Sequence, residues 1–549
     1  MTATRSSLTA LALAFAVAAG TGCGSDSDGD QASSGQQGGS ITIAQSSQPD
    51  ALDPAIAYTS NSWEPLWLVY TPPLTYRHAE GTEGAELIPG AAEALPEISA
   101  DGKTYTFTIR EGLKYSDRSP VRASDFEHAI KRVLSMESGG SYLFEGIDGA
   151  TEYVEAGDPK GDIAGIETDD RTGEVTVRLT APDGTFSNVL ATTFAGLVPS
   201  STPFENQTKS PPPGVGPYEI TESVPNRQFT MKQVRGFDIP DVPKGNVETI
   251  VTKIVKSSSR QAQDVMAGKL DYMQVAPPTD LVPEIKASHG DRYKQWPTLS
   301  VSYFFLNQDL PPFDDQKVRE AVNVAIDSRA IARLFGGRLE PTCNLVPEGI
   351  PGRADLDPCP YGDPSGPGDV PKAKQLVEQA GATGEKVTVF TNSDSNRREI
   401  GEYYTALLND IGLDADLRVV DGAVYSDTIG NQRTKAQTGL VNWYADFPHP
   451  ATFIQQIDGS TIADTSNPNQ GNVRDAKITE EIAALLPEPD LAAVADRWAA
   501  LDRRAIEESY VAPFGSEELT TFLSERMDFE NCSLVHPLYG NDYSSFCLK

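Results

Sequence analysis

Polar and apolar residues alternate over 104–110 in the run Thr-Tyr-Thr-Phe-Thr-Ile-Arg, the period of a strand with one buried face. Asp101-Gly102-Lys103 makes the turn before it. The period then changes: Ser124-Asp125-Phe126-Glu127 reads as a capping box, in which serine and glutamate satisfy each other's backbone amides, opening a helix expected to reach about Leu134. Apolar residues at Val318, Ala321, Val322, Ala325, Ile326 and Leu334 keep near-helical spacing, which predicts a helix over 318–334 with one face on a sheet. Helical patterns over 371–380 and 403–411 stop at Gly381 and Gly412, and strands are expected at 386–390 and 417–420. Helices alternating with strands define an α/β fold.

The first forty residues follow a different logic. The apolar run 8–19 follows Arg5, is too short to span a bilayer and suits the core of a signal peptide. Small residues from Ala18 to Gly22 precede Cys23, where a bacterial lipoprotein signal is cut and the new terminal cysteine acylated. Gly20 stands where such signals usually carry leucine. The stretch 24–40 is almost wholly Gly, Ser, Asp and Gln, a flexible leash that cannot bury a core, so the fold is expected to begin near Ile41. A lipid on Cys23 would then hold the domain on the membrane surface.

The remaining length exceeds one hydrophobic core and implies two or three domains. A net charge of −33, from 78 acids and 45 bases, argues against nucleic acid as a partner and suits an exported, soluble body. Apart from Cys23 the cysteines fall into two local groups, Cys343 with Cys359 and Cys532 with Cys547, economically read as two short-range disulfides. The spacing lacks a CxxC pair and gives no expected metal site. The five histidines are scattered, and the chain has no HExxH, GxSxG, P-loop or GxGxxG signature, so neither an enzyme nor a cofactor is expected.

A resemblance becomes specific in the run 95–117, Leu-Pro-Glu-Ile-Ser-Ala-Asp-Gly-Lys-Thr-Tyr-Thr-Phe-Thr-Ile-Arg-Glu-Gly-Leu-Lys-Tyr-Ser-Asp, followed by Pro120 and Ala123-Ser-Asp125. It resembles the signature of the family 5 extracellular solute-binding proteins, the oligopeptide, dipeptide and nickel-binding components of ABC importers. Arg118 replaces the family's usual glycine. Further blocks recur in the family's order: Leu52-Asp53-Pro54, Gly214-Val-Gly-Pro-Tyr218, Gly268-Lys-Leu-Asp271, Phe305-Leu-Asn307 with Ala325-Ile-Asp327, and Lys372-Ala-Lys-Gln-Leu376 with Asn442-Trp-Tyr-Ala-Asp446.

The resemblance implies a two-lobed periplasmic-binding-protein-like α/β fold of the class II, cluster C type, with a hinge and an inserted third domain. The expected division is a signal peptide over 1–22, a tether over 23–40, one lobe from 41–77, 195–298 and 515–549, an insert over 78–194, and a second lobe over 299–514. Hinge strands are expected near 300–307 and 510–515. Such a protein would act as a monomer, delivering a peptide to ABC permease and ATPase subunits after hinge closure.

The resemblance also implies site residues. Asp446 occupies the position from which peptide-binding members extend a carboxylate to the ligand's ammonium group, a pair strengthened when water is excluded. Asn442 and Trp443 accompany it, and Tyr425 and Tyr58 are candidate pocket aromatics. Arg397 or Arg398 is the candidate for a ligand carboxylate. The alternatives are a non-peptide solute, such as a nickel chelate, siderophore or oligosaccharide, or an exported sensor or hydrolase.

Overall fold

The computed structural model describes residues 37–136, 138–393 and 395–549. The signal peptide, Cys23 and most of the tether lie outside the described residues.

The chain forms a two-lobed α/β structure built on three principal sheets. In the first, five strands lie in the order Tyr272–Met273, Ser40–Gln45, Thr249–Ile254, Gln228–Gln233, Tyr218–Val224. A four-stranded antiparallel sheet carries the alternating run, now Thr104–Thr108, with Tyr105 and Phe107 buried and the threonines half-buried. Its turn is as expected, with Gly102 at φ +69°, a conformation that glycine adopts without penalty.

The largest sheet has seven strands. Ser300–Leu306 is buried at every position, as a central strand covered on both faces must be. It is flanked by Thr438–Tyr444 and Val511–Phe522. Lys386–Asn392 and Asp414–Val420 pair in parallel through the crossover helix Ser395–Asp410, whose Tyr404 ring stacks on Phe304 at 3.6 Å between centroids. The expected strands of this region are present and two or three residues longer than their patterns; the helix expected over 371–380 is Val370–Gln379, and that expected over 403–411 is the last part of Ser395–Asp410.

One strand links these bodies. Val511–Phe522 pairs with Ser300–Leu306 at its start and with Tyr293–Pro297 at its end, and the next residue, Leu523, bridges to Tyr272 in the first sheet. Both segments expected near the hinge thus lie side by side.

Two local expectations need correction. The helix Ser124–Ser135 forms, but without a capping box. The Ser124 amide and hydroxyl both donate to Asp170, at 2.9 and 3.0 Å, while Glu127 pairs with Lys131 at 2.8 Å and accepts the Ile163 amide. The local carboxylate is engaged by Lys131 and the Ile163 amide, and a carboxylate distant in sequence takes its place at Ser124. The helix expected over 318–334 is two, Gln316–Ala325 and Ser328–Leu334, because the Asp327 side chain accepts the Ala330 amide at 2.8 Å and caps a new start.

Both cysteine pairs are bonded, Cys343 to Cys359 and Cys532 to Cys547. The loop within the first is organised by the buried Asp502 carboxylate, which accepts the Leu345, Val346 and Ala354 amides and the Asn344 side chain at 2.7–3.1 Å. Cys532, Cys547 and Asp528 also sit within metal-ligand distance of one another, but both sulfurs are committed to the disulfide.

Candidate ligand-binding site

Strand Thr438–Tyr444 carries Asn442 and Trp443 and leads directly to Asp446. Beyond its end, the Ala445 amide bonds to the Leu299 carbonyl at 2.9 Å, which fixes the chain as Asp446 turns inward. Asp446 is 5% exposed, and its Oδ1 accepts the hydroxyl of Tyr58 at 3.0 Å. Burial pushes its carboxyl up to about 6, against the pull of hydrogen bonds from Tyr142 and Tyr58. The carboxylate is thus held where removal from water is expensive, and a cation supplied from outside would relieve it.

The surroundings are aromatic and open. Tyr58 stands edge-on to Trp63 and tilted against Phe194, at centroid distances of 6.0 and 5.8 Å. Tyr58, Tyr142 and Tyr444 are 37, 42 and 43% exposed, so three tyrosines near a buried carboxylate remain uncovered by protein. Three cavities adjoin. One, of about 420 Å³, is bounded by Asp446 and Tyr142. A second, of about 940 Å³, shares Tyr142 and is bounded by Tyr58, Arg397, Tyr425, Asn442 and Trp443. A third, of about 580 Å³, has Tyr444, Arg338 and Glu517 on its wall.

Four of the five expected residues, Tyr58, Tyr425, Asn442 and Trp443, therefore border the 940 Å³ cavity, with Asp446 on the one beside it. Their roles there differ. The Tyr425 hydroxyl is spent on the Phe390 and Leu440 carbonyls, at 3.1 and 2.8 Å, so only its ring is available. Asn442 donates to Ser302 and Glu517, whereas the buried Trp443 Nε1 has no acceptor among the described residues.

The two arginines separate. Arg398 pairs with Glu402 one helical turn away, on the surface. Arg397 is largely buried, gives Nη2 to Glu517 at 2.8 Å and leaves Nη1 without an acceptor among the described residues, on the wall of the large cavity.

Sequence reasoning did not find Tyr142 or Glu517. Neither stands in one of the matched blocks. Tyr142 lies in the single helical turn Ser141–Leu143, just after the exposed Gly139 and the buried Gly140, and Glu517 lies within a strand whose pattern is that of ordinary sheet.

The fold and this arrangement define a two-lobed binding protein with a partly aromatic cleft. The model of the bacterial extracellular solute-binding proteins, family 5 (middle part), matches residues 86–465, and the chain belongs to that family. Members of the family are extracytoplasmic substrate-binding proteins. Among curated proteins, the chain is 26% identical over 441 residues to the dipeptide-binding protein DppE of Bacillus subtilis, covering 76% of each chain. It is 25% identical over 437 residues to the oligopeptide-binding protein OppA of the same organism, again covering 76% of each. Among solved structures, the clavulanic acid biosynthesis oligopeptide binding protein 2 superposes with a TM-score of 0.85 at 24% identity, covering 93% of this chain and 96% of that one.

Proposed function

We propose that this protein captures oligopeptides between its lobes and delivers them to an ABC importer, without chemistry of its own. The observation that carries the reading is the buried Asp446 carboxylate, met by Tyr58 from a distant part of the chain and bordered by cavities large enough for several residues. The ligand's ammonium would replace the tyrosine hydroxyls on Asp446, and its backbone would lie along Thr438–Tyr444. Arg397 would take the ligand carboxylate through its unpaired Nη1. Residues 41–77, 195–298 and 515–549 would form one jaw and 299–514 the other, with 78–194 inserted in the first. Contacts made by both jaws exist only when closed, so ligand shifts the population toward closure.

The same proposal places a monomer on the outer face of the cell membrane, anchored by a lipid on Cys23, with permease and ATPase subunits as partners. The names of the relatives, dipeptide- and oligopeptide-binding, support the ligand class.

Calorimetry with a tripeptide pool and its N-acetylated counterpart tests the reading. Wild type should bind the free pool and lose affinity for the acetylated one. Asp446→Ala, which leaves the ligand charge desolvated and unpaired, should weaken free-peptide binding by roughly 2 to 5 kcal/mol and discriminate little. Equal binding of both pools by wild type would remove the ammonium role.

A further inference from the structure

Glu517 gathers three side chains of the cleft onto one carboxylate. Its Oε1 accepts from Arg397 Nη2 at 2.8 Å and from Asn442 Nδ2 at 3.0 Å, and its Oε2 accepts the Tyr444 hydroxyl at 2.8 Å. The side chain is 14% exposed. Its backbone is pinned as firmly: the amide donates to Ser300 Oγ at 3.0 Å, and the carbonyl accepts from Thr298 Oγ1 at 2.7 Å.

Its place in the sheet is as telling. Residues 511–515 of its strand pair with Ser300–Leu306, and residues 518–522 pair with Tyr293–Pro297. Glu517 lies between these two pairings, on the strand that links the sheets, with its carboxylate turned toward the cleft.

An arginine–glutamate pair is strongest when both prongs of the guanidinium are engaged. Arg397 engages one. Its second terminal nitrogen is buried without an acceptor among the described residues, an arrangement that is costly unless an acceptor arrives. Glu517 thus fixes the guanidinium through Nη2 alone and leaves the buried Nη1 unpaired, on a residue that borders the 940 Å³ cavity.

We propose that Glu517 is a positioning residue for ligand recognition, holding Arg397, Asn442 and Tyr444 in register with the strand that links the two sheets, so that Arg397 presents Nη1 to the ligand's carboxylate. This rests on the carboxylate role given to Arg397 above. The prediction is specific. The oxygen shared by Arg397 and Asn442 matters as an acceptor, so an amide in its place keeps those two bonds and offers its NH2 to the Tyr444 oxygen, whereas a methyl group releases all three side chains at once.

The test is competition between an equimolar tripeptide pool and the same pool as C-terminal amides, read by native mass spectrometry on wild type, Arg397→Met, Glu517→Gln and Glu517→Ala. Wild type should prefer the free acids by about tenfold or more. Arg397→Met should lose that preference. Glu517→Ala should fall to within about threefold of no preference, while Glu517→Gln stays within about threefold of wild type. A merely structural role would lower binding of acids and amides together and leave their ratio unchanged. Should Arg397→Met lose the preference while Glu517→Ala keeps it, the positioning role is overturned and the carboxylate role of Arg397 stands. No preference in wild type, or no capture of either pool, overturns both.

Discussion

The hydroxyl of Tyr58 donates to Asp446 across 3.0 Å, joining two residues 388 positions apart in the chain. The bond puts a neutral donor on a carboxylate that burial has raised to about 6, and that raised value makes occupancy of the site sensitive to pH. A ligand ammonium requires the ionised carboxylate. Below pH 6 the ligand-free site holds a proton that must leave before the charge pair forms, so affinity falls as pH falls. For one group titrating near 6, the dissociation constant at pH 5 should be about tenfold that at pH 7. Calorimetry of a bound tripeptide from pH 5 to 8 measures this, and a flat profile would separate Asp446 from the ligand charge.

Tyr58→Phe should move that profile in a known direction. The Tyr58 hydroxyl lowers the Asp446 pKa, so its loss leaves the carboxyl more easily protonated and shifts the midpoint of the affinity profile upward. At pH 8, where Asp446 is ionised with or without the tyrosine, the variant should bind at least as tightly as wild type, because the ligand no longer displaces a donor. Weaker binding at pH 8 would mean that the hydroxyl contacts the ligand itself.

Much of this was legible in the sequence because periodicity reports local burial. The strands around Tyr105, Val389 and Leu417, and the helices stopping near Gly381 and Gly412, follow from which residues face a sheet. Where sequence reading failed, a partner distant in the chain decided the outcome. Ser124 bonds to Asp170 instead of Glu127, and Arg397 and Asn442 share Glu517, more than seventy positions away. The break before Ser328 was a local signal, since Asp327 is a good cap, but the apolar period ran straight through it. Asp446 came from a family resemblance; its burial and its tyrosine partners belong to tertiary structure alone.

The buried pair between Asp53 and Arg132 offers a test of how the parts of the first core are held together. Two parallel bonds of 2.9 and 2.7 Å join side chains that are wholly inaccessible, and Asp53 accepts the Gln207 and Ala55 amides besides. Arg132 lies on the helix Ser124–Ser135, whereas Asp53 belongs to the Leu-Asp-Pro block near the start of the fold. Removing one partner leaves the other charge buried and unpaired. Arg132→Met should therefore cost about 3–5 kcal/mol in urea unfolding, and adding Asp53→Asn to it should recover part of the loss. Additive losses in the double variant would show that the two residues stabilise the fold independently.

Two buried histidines each weaken the fold in acid. The Nδ1 atom of His536 accepts the Leu538 and Tyr539 amides at 3.1 Å, and its Nε2 lies 2.6 Å from the Gly84 carbonyl, so the ring is filled as a neutral tautomer with the proton on Nε2. Burial, with the nearby His78 adding to it, holds its pKa down to about 3, and burial holds His449 at about 4. An unfolded histidine binds its proton near 6.5. Between that value and the folded pKa the unfolded chain carries the proton and the folded one does not, so stability falls as pH falls through this window. Asp446 works in the opposite sense between about 6 and 4, and the buried Glu64 between about 8 and 4.5, because their folded pKa values are raised, as those of Asp183, Asp502 and Glu518 are. Each histidine should contribute a slope of about 1.4 kcal/mol per pH unit below 6. Urea unfolding of wild type and His449→Gln at pH 7, 6 and 5 isolates one of them: the variant should lose less stability per pH unit, by about one proton's worth, whatever its effect on the midpoint at pH 7. An unchanged slope in that variant would mean that His449 takes up its proton in the folded protein.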